Sequence, residues 1–553
     1  MTTASSKLVS FPPDVVAGYL ASGAWHSEPL ARCFRRVAER EKGREALVCG
    51  GVRLTYAELD RLSDQRAAGL HALGLPVGGA VLLQLHNTAE TVVTWYALLK
   101  AGLVPVCTLP LHRRHEISEI GRQTEPVAHI VEAANPGFDL VGFAKETAAQ
   151  AQRPWRVLVS GPIPADTADV VSVSDLGNDI DAKEARRLVE SIQDGLAPHD
   201  VAVYQLSGGT TGVPKVIPRL HGEYWYNAER YAAVLEWDRN DRVAYIAPVM
   251  HNAGVVCGIH GPHSVGATAI LGVPSLEPLY GLLAGEAATD IVLGPFAYEA
   301  ASDERLAEAA ALKRVIFSGK KVPGHHFAAL QERGIWAGQL FGMGEGLCMT
   351  TPLDAPAQVR ATTVGIPISE HDEVRILEPG TENDLPDGTV GELCVRGPYT
   401  IRGYYDAPEH NERAFTSDGF YRTGDLAMAT TIEGVRCFTI EGRIKDLINR
   451  GGEKINAEEI ELLLVSHPDI MEAALVAMPD TRLGERACAY VVGRAGVRHD
   501  LATMRAYFED LGVAKYKWPE RIVWLDEMPR ASQVGKIDKK LLRKYARSET
   551  PEV

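Results

Sequence analysis

Short unbroken apolar runs that end at a glycine or a polar turn, each followed by a stretch with helical spacing, set the texture of the chain up to about Glu373. Ala80 to Leu85 reads as a buried strand feeding a helix from Glu90 to Leu99. Val201 to Leu206 reads as a buried strand entering a glycine-rich loop, and Arg314 to Phe317 as a strand after an alanine-rich helix at Asp303 to Ala311. The longest apolar stretch, Val92 to Leu111, is broken by Lys100, Pro105 and Pro110, so it predicts a buried helix ending at Lys100-Ala101-Gly102 and a short strand over Leu103 to Val106 rather than a membrane span. Repeated strand, glycine, helix units predict an α/β region. From about Glu373 the pattern changes to short alternating runs such as Gly391 to Gly397, which predict antiparallel strands and a small barrel. After Gly442-Arg443-Ile444-Lys445-Asp446 a compact final unit is expected, with a helix over Ala457 to Val465, a strand over Glu472 to Ala477 and a basic tail helix near Lys539 to Arg547.

With 553 residues the chain exceeds one core. Its 57 basic and 72 acidic residues leave a formal charge of −15, which disfavours nucleic acid and anionic membrane as partners. The eight cysteines are scattered without a Cys-x-x-Cys pair, and the first thirty or so residues lack the apolar core of a secretory signal, so a reducing cytoplasm is expected. His260 and His263 lie three apart without a third ligand at suitable spacing, and no metal is assigned to them.

The strongest chemical signal is Ser207-Gly208-Gly209-Thr210-Thr211-Gly212-Val213-Pro214-Lys215. Three glycines let main-chain N–H groups approach an anion, and three hydroxyls add donors, so the loop is suited to a nucleotide triphosphate. Val213 and Pro214 separate Gly212 from Lys215, which excludes a Walker A motif.

Four further segments follow in order: Phe341-Gly342-Met343-Gly344-Glu345-Gly346, Tyr421-Arg422-Thr423-Gly424-Asp425-Leu426, the stretch Gly442 to Ile455 with Gly451-Gly452, and Gln533-Val534-Gly535-Lys536-Ile537-Asp538. With the glycine loop, this set resembles the signature of the adenylate-forming superfamily, which contains acyl-CoA synthetases, peptide adenylation domains and luciferases. The resemblance spans roughly Ala31 to Lys540. It implies a large N-terminal adenylation domain, 1–444, of two α/β subdomains plus a small β-barrel, and a small mobile α+β domain, 445–553. It implies ATP and Mg²⁺ as cofactors. Ser207, Gly208, Gly209, Thr210, Thr211, Gly212, Lys215, Gly319, Phe341, Asp425 and Arg443 are then expected at the nucleotide, Glu345 at the metal, Lys536 at the reacting carboxylate and α-phosphate, and Lys445 at the hinge. Joining two anions needs gathered positive charge and donors, which suits Lys536; a carboxylate suits Mg²⁺ or the ribose hydroxyls.

Within the superfamily, Pro218-Arg219 with His221, and His251-Asn252 after Pro248-Val249-Met250, resemble the stand-alone aryl acid adenylating enzymes that make salicyl-AMP or 2,3-dihydroxybenzoate-AMP for siderophores. The resemblance places Asn252 at an ortho substituent of the ring, with Ala253, Cys257, Gly344 and Cys348 lining the pocket and His251 in the catalytic set. Cysteine at position 257 favours salicylate over 2,3-dihydroxybenzoate, since a thiol partners a second ring hydroxyl poorly. The small residues Ala253 and Gly344 predict a roomier pocket. The expected reaction makes aryl-AMP, then transfers the aryl group to the phosphopantetheine thiol of a separate aryl carrier protein. Anthranilate-type, 2,3-dihydroxybenzoate or heteroaryl substrates, an aryl-CoA ligase, and a silent binding protein on the same fold stand as alternatives.

Overall fold

The buried strands of the α/β region assemble into two sheets. The computed structural model describes residues 7–161, 170–207, 214–450, 453–530 and 536–547. By backbone packing the chain forms two compact units, one of residues 1–320, 326–373 and 395–421, the other of 321–325, 374–394 and 422–553.

Among the described residues, the first unit holds a seven-stranded sheet ordered Val171–Ser172, Arg156–Ser160, Ala128–Glu132, Ala80–Gln84, Val104–Val106, Val201–Leu206, Val216–Leu220. All neighbours are parallel except the last two, which form an antiparallel hairpin around the glycine loop. A nine-stranded sheet runs Ile366–Pro367, Cys348–Thr350, Trp336–Gly342, Arg314–Ser318, Asp290–Leu293, Arg242–Tyr245, Thr268–Leu271, Glu45–Cys49, Val52–Thr55. Its interior is parallel and its edges antiparallel. Strand order reverses at Arg242–Tyr245, the position in open α/β sheets where a crevice opens beyond the strands' carboxyl ends. Met250 to Ala253 follow that strand.

A four-stranded sheet, Glu373–Leu377, Gly391–Arg396, Tyr421–Ile432, Val435–Arg443, forms a half-barrel where a small barrel was expected. The second unit ends in a sheet of Glu453–Asn456, Leu447–Arg450, Gly484–Gly493 and Ile470–Asp480, with Arg521–Leu525 parallel to Gly484–Gly493. Helices Ala457–Val465, Leu501–Asp510 and Lys539–Arg547 accompany it.

One expected element is different. Residues 303–311 do not form an α-helix; the segment carries a 3₁₀ turn at Glu304–Glu308, preceded by another at Pro295–Ala301. The Asp303 carboxylate accepts from the Arg305 backbone N–H at 2.9 Å and from its guanidinium, a local bonding scheme that competes with α-helical continuation.

No helix among the described residues is long and apolar enough to cross a membrane. The helix Ala89–Lys100 is instead a core element, and its terminal lysine is fully buried. Lys100 Nζ lies 2.6 Å from Asp60 Oδ1 and 2.8 Å from Asp64 Oδ1, with Arg35 and Arg186 closing on the same two carboxylates. Burial pushes the Asp60 carboxyl up, but Lys100 and the arginines more than offset it and hold its pKa below the ordinary value. We expect Lys100→Met to destabilise the protein by about 3 kcal/mol in urea unfolding at neutral pH, because it leaves buried carboxylates under-compensated. A depressed carboxyl contributes stability above its unfolded pKa and loses it as pH falls, so the gap between variant and wild type should narrow on acidification.

Candidate functional site

The glycine loop is pinched at its base. Lys215 donates its backbone N–H to Ser207 Oγ at 3.0 Å, and the Ser207 N–H donates to the Lys215 carbonyl at 3.0 Å. Gly208, Gly209, Thr210, Thr211 and Gly212 lie outside the described residues, as do Gly451, Gly452, Gln533, Val534 and Gly535. The Lys215 ammonium stands 5.3 Å from the centre of the Tyr404 ring.

Tyr404 connects that lysine to the next motif. Its hydroxyl donates to Glu345 Oε1 at 2.5 Å and shares a 2.8 Å hydrogen bond with the Tyr421 hydroxyl. Glu345 is 9% exposed, and its carbonyl accepts from the Ile401 N–H at 2.9 Å. Gly346, at φ +144°, is obligatory: a Cβ there would lie 2.3 Å from the Tyr399 carbonyl oxygen. Phe341 is half-buried near the carboxyl end of its strand. Gly319, at φ +108°, follows the neighbouring strand, in a turn that Tyr298 braces by donating to the Ser318 carbonyl at 3.0 Å and accepting from the Lys320 N–H at 3.2 Å.

Arg219 organises the crevice at the strand reversal. It sits on Val216–Leu220, fully buried, and its guanidinium grips Glu223 at the start of helix His221–Val234 through Nε at 2.9 Å and Nη2 at 2.7 Å. Burial pulls against the arginine charge, but the Glu223 carboxylate more than restores it and raises its pKa above the ordinary value. The remaining nitrogen, Nη1, donates to Asn252 Oδ1 at 2.9 Å and to the Gly344 carbonyl at 3.3 Å. The Tyr224 hydroxyl also donates to Asn252 Oδ1, at 2.9 Å, while Gln205 Nε2 donates to the Tyr224 oxygen at 3.0 Å. Asn252 Nδ2 donates to the Met343 carbonyl at 3.3 Å. Asn87 holds the turn beneath, accepting from the Val249 N–H at 2.9 Å and donating to the Ala247 carbonyl at 2.9 Å. His251, Asn252 and Ala253 are half-buried.

Cys257 lies on the π-helical segment Gly254–His260 and is 2% exposed. Burial pushes its thiol up to about 12, with the Tyr231 hydroxyl beside it pulling the other way. Burial likewise raises Cys348, its neighbour at the start of strand Cys348–Thr350. His260 accepts from Trp95 Nε1 at 2.9 Å, and His263 bonds the Tyr96 hydroxyl at 2.7 Å and the Ala46 carbonyl at 3.0 Å, so both belong to the core.

The space beside position 344 is bordered by Ile217. A Cβ on Gly344 would come within 2.8 Å of Ile217 Cδ1, on the same strand face as Arg219. Gly254 is equally a packing requirement, since a Cβ there would meet Val249 Cα at 2.5 Å.

In the second unit, Asp425 and Arg443 face each other across antiparallel strands, with Arg443 Nε 2.9 Å from Asp425 Oδ1. Asp425 is 5% exposed, and its N–H donates to Thr423 Oγ1 at 3.0 Å. Lys445 occupies the 3₁₀ turn Ile444–Asp446; burial first, then the Arg443 charge, lower its pKa. Lys536 is exposed ahead of helix Lys539–Arg547. Tyr224, Glu223, Gln205, Asn87 and Tyr404 were not singled out from the sequence; the one signal available for them was an arginine in an apolar strand with an acid four residues on.

Gly344→Ala should lower stability by no more than about 1 kcal/mol, since the Ile217 Cδ1 methyl at the end of its side chain can move aside, and Ile217→Val in the same chain should remove that loss. Thermal and urea unfolding of the two single variants and the double variant measure the coupling; additive losses would separate the two positions.

Comparison with known proteins places the chain in a family. Residues 34–405 match the AMP-binding enzyme family and residues 459–536 match the AMP-binding enzyme C-terminal domain. The chain is 39% identical over 545 residues to triostin synthetase I of Streptomyces triostinicus, covering 97% of this chain and 98% of that one. It is 36% identical over 557 residues to a salicylyl-CoA synthase / salicylate adenylyltransferase of a Streptomyces species, covering 99% and 98%. Among solved structures, apo MbtA of Mycobacterium smegmatis superposes with a TM-score of 0.74 at 35% identity, covering 98% of this chain and 100% of that one. Sequence coverage from end to end and a shared fold lead to one conclusion: the chain belongs to the AMP-binding enzyme family and is an adenylate-forming ligase.

Proposed function

We propose that the protein activates an ortho-substituted aryl acid, of the salicylate or methylsalicylate type, and passes the aryl group to the phosphopantetheine thiol of a separate aryl carrier protein. The observation that supports this most is Asn252, a half-buried residue whose amide is held by Arg219 and Tyr224 beyond the strand reversal. In the first step a carboxylate oxygen of the acid attacks the α-phosphorus of ATP, the bond to pyrophosphate breaks, and aryl-AMP forms. In the second the thiol sulfur attacks the acyl carbon, its proton is lost, and AMP leaves.

Each residue then has a task. The loop closed by Ser207 and Lys215 wraps the phosphates, Lys536 brings positive charge to the meeting point of carboxylate and α-phosphate, and Phe341 and Gly319 border the adenine. Asp425 accepts from the ribose hydroxyls while Arg443 holds its orientation. Glu345 fits a nucleotide-bound Mg²⁺: it offers a carboxylate, the ligand type a hard cation takes, and Tyr404 fixes its orientation. Bound there, the ion would offset phosphate charge. Lys445, in its short turn between two strands, is the hinge separating a 1–444 adenylation domain from a 445–553 domain that reorients between steps. His251 borders the acid, with Ala253, Cys257, Gly344 and Cys348 around the ring. A second reading, transfer to coenzyme A, draws support from the relative named as a salicylyl-CoA synthase.

Measured by pyrophosphate exchange and by thioester formation from preformed aryl-AMP, Lys536→Ala should nearly abolish the first and spare the second. Lys445→Pro should do the reverse, since proline fixes the backbone torsion a hinge must change. Equal loss of both partial reactions in either variant would remove that residue from its role. Asp425→Ala should raise the KM for ATP by roughly tenfold or more, because ribose hydroxyls lose a charged acceptor; an unchanged KM would take Asp425 out of the nucleotide site.

A further inference from the structure

The amide of Asn252 has a fixed polarity. Guanidinium nitrogens only donate and peptide carbonyls only accept, so the Asn252 atom at Arg219 Nη1 must be oxygen and the atom at the Met343 carbonyl must be nitrogen. Oδ1 has two lone pairs, and both are used: one by Arg219 at 2.9 Å, the other by the Tyr224 hydroxyl at 2.9 Å. Arg219 and Tyr224 are themselves fully buried and held from behind, the first by Glu223 and the second by Gln205. Of the two Nδ2 hydrogens, one goes to Met343, and the other has no partner among the described residues. What a half-buried Asn252 can offer a ligand is therefore an N–H and not a carbonyl.

We propose that Arg219, Glu223 and Tyr224 are positioning residues that set Asn252 as a donor, so that the site takes an aryl acid whose ortho position is a hydrogen-bond acceptor and turns away an ortho-amino acid. This rests on the aryl acid reading above. In salicylate the phenolic hydrogen is donated internally to the neighbouring carboxylate, and the phenolic oxygen is left facing outward as an acceptor for Asn252 Nδ2. In anthranilate one amino hydrogen makes the same internal bond, and the second N–H points outward, donor against donor. A site with a saturated Oδ1 has nothing to receive it, and discrimination of this kind reaches roughly tenfold to a hundredfold. Asn252 thus separates two rings of nearly the same shape by hydrogen-bond sense alone.

The test is pyrophosphate exchange by the full-length enzyme with salicylate, anthranilate and benzoate. Wild type should use salicylate with at least roughly tenfold higher kcat/KM than anthranilate. Asn252→Asp keeps an oxygen for Arg219 and presents only acceptors, so the salicylate to anthranilate ratio should fall by about tenfold or more; Tyr224→Phe frees one lone pair and should move the ratio the same way. Equal use of both acids by wild type overturns the proposal without needing any variant to fold. A ratio that stays constant while both activities drop would mark these residues as merely structural, and also overturns it. If no aryl acid supports exchange in wild type, the aryl acid reading fails and this inference with it; if salicylate is used but not preferred to anthranilate, only the inference fails.

Discussion

A single buried arginine ties the crevice together. Arg219 brings three nitrogens to three different elements: Glu223 on the helix that follows its own strand, Asn252 on the turn after the central strand of the other sheet, and the Gly344 carbonyl in the glycine-rich turn beyond Phe341. A charge with no exposed surface persists only when paired and fully bonded, so Glu223 is as necessary as the arginine it holds. Through this pair a strand of one α/β sheet of the first unit is bonded to Asn252 and to the Gly344 carbonyl beyond strands of the other.

That constraint also explains how chemistry is distributed along the strands. Val216–Leu220 lines the crevice with alternate residues: Ile217 and Arg219 both reach Gly344, one with a methyl and one with a hydrogen bond. The glutamate motif is held in the same spirit, because Tyr404 bonds Glu345 and also faces Lys215 at the neck of the glycine loop. Two stretches that look unrelated in the sequence share one tyrosine.

Much of the fold was legible because its signals are local. The strand Val201–Leu206 and the helices Ala457–Val465 and Lys539–Arg547 agree with the apolar pattern to the residue, and Asn456 caps the first of those helices by accepting from Glu458. The stretch 303–311 misled because composition said helix while one aspartate bonded its own backbone. Of the candidate site, Glu345, Asp425 and Arg443 were expected from motif order and Asn252 from a narrower resemblance, yet nothing in either places Asp425 opposite Arg443; strand register does. Glu223, Tyr224 and Gln205 stayed hidden because they act through another side chain, and hydrogen bonds between distant segments leave no periodic trace.

The contact between Gly344 and Ile217 bears on how pockets in this family are compared. A glycine in place of alanine is ordinarily read as added volume, but here the Cδ1 methyl of Ile217 stands where that volume would be gained. Position 344, in the turn after its strand, and position 217, on a strand of the other sheet, border one small space. A substitution at either position therefore has to be read together with the residue at the other.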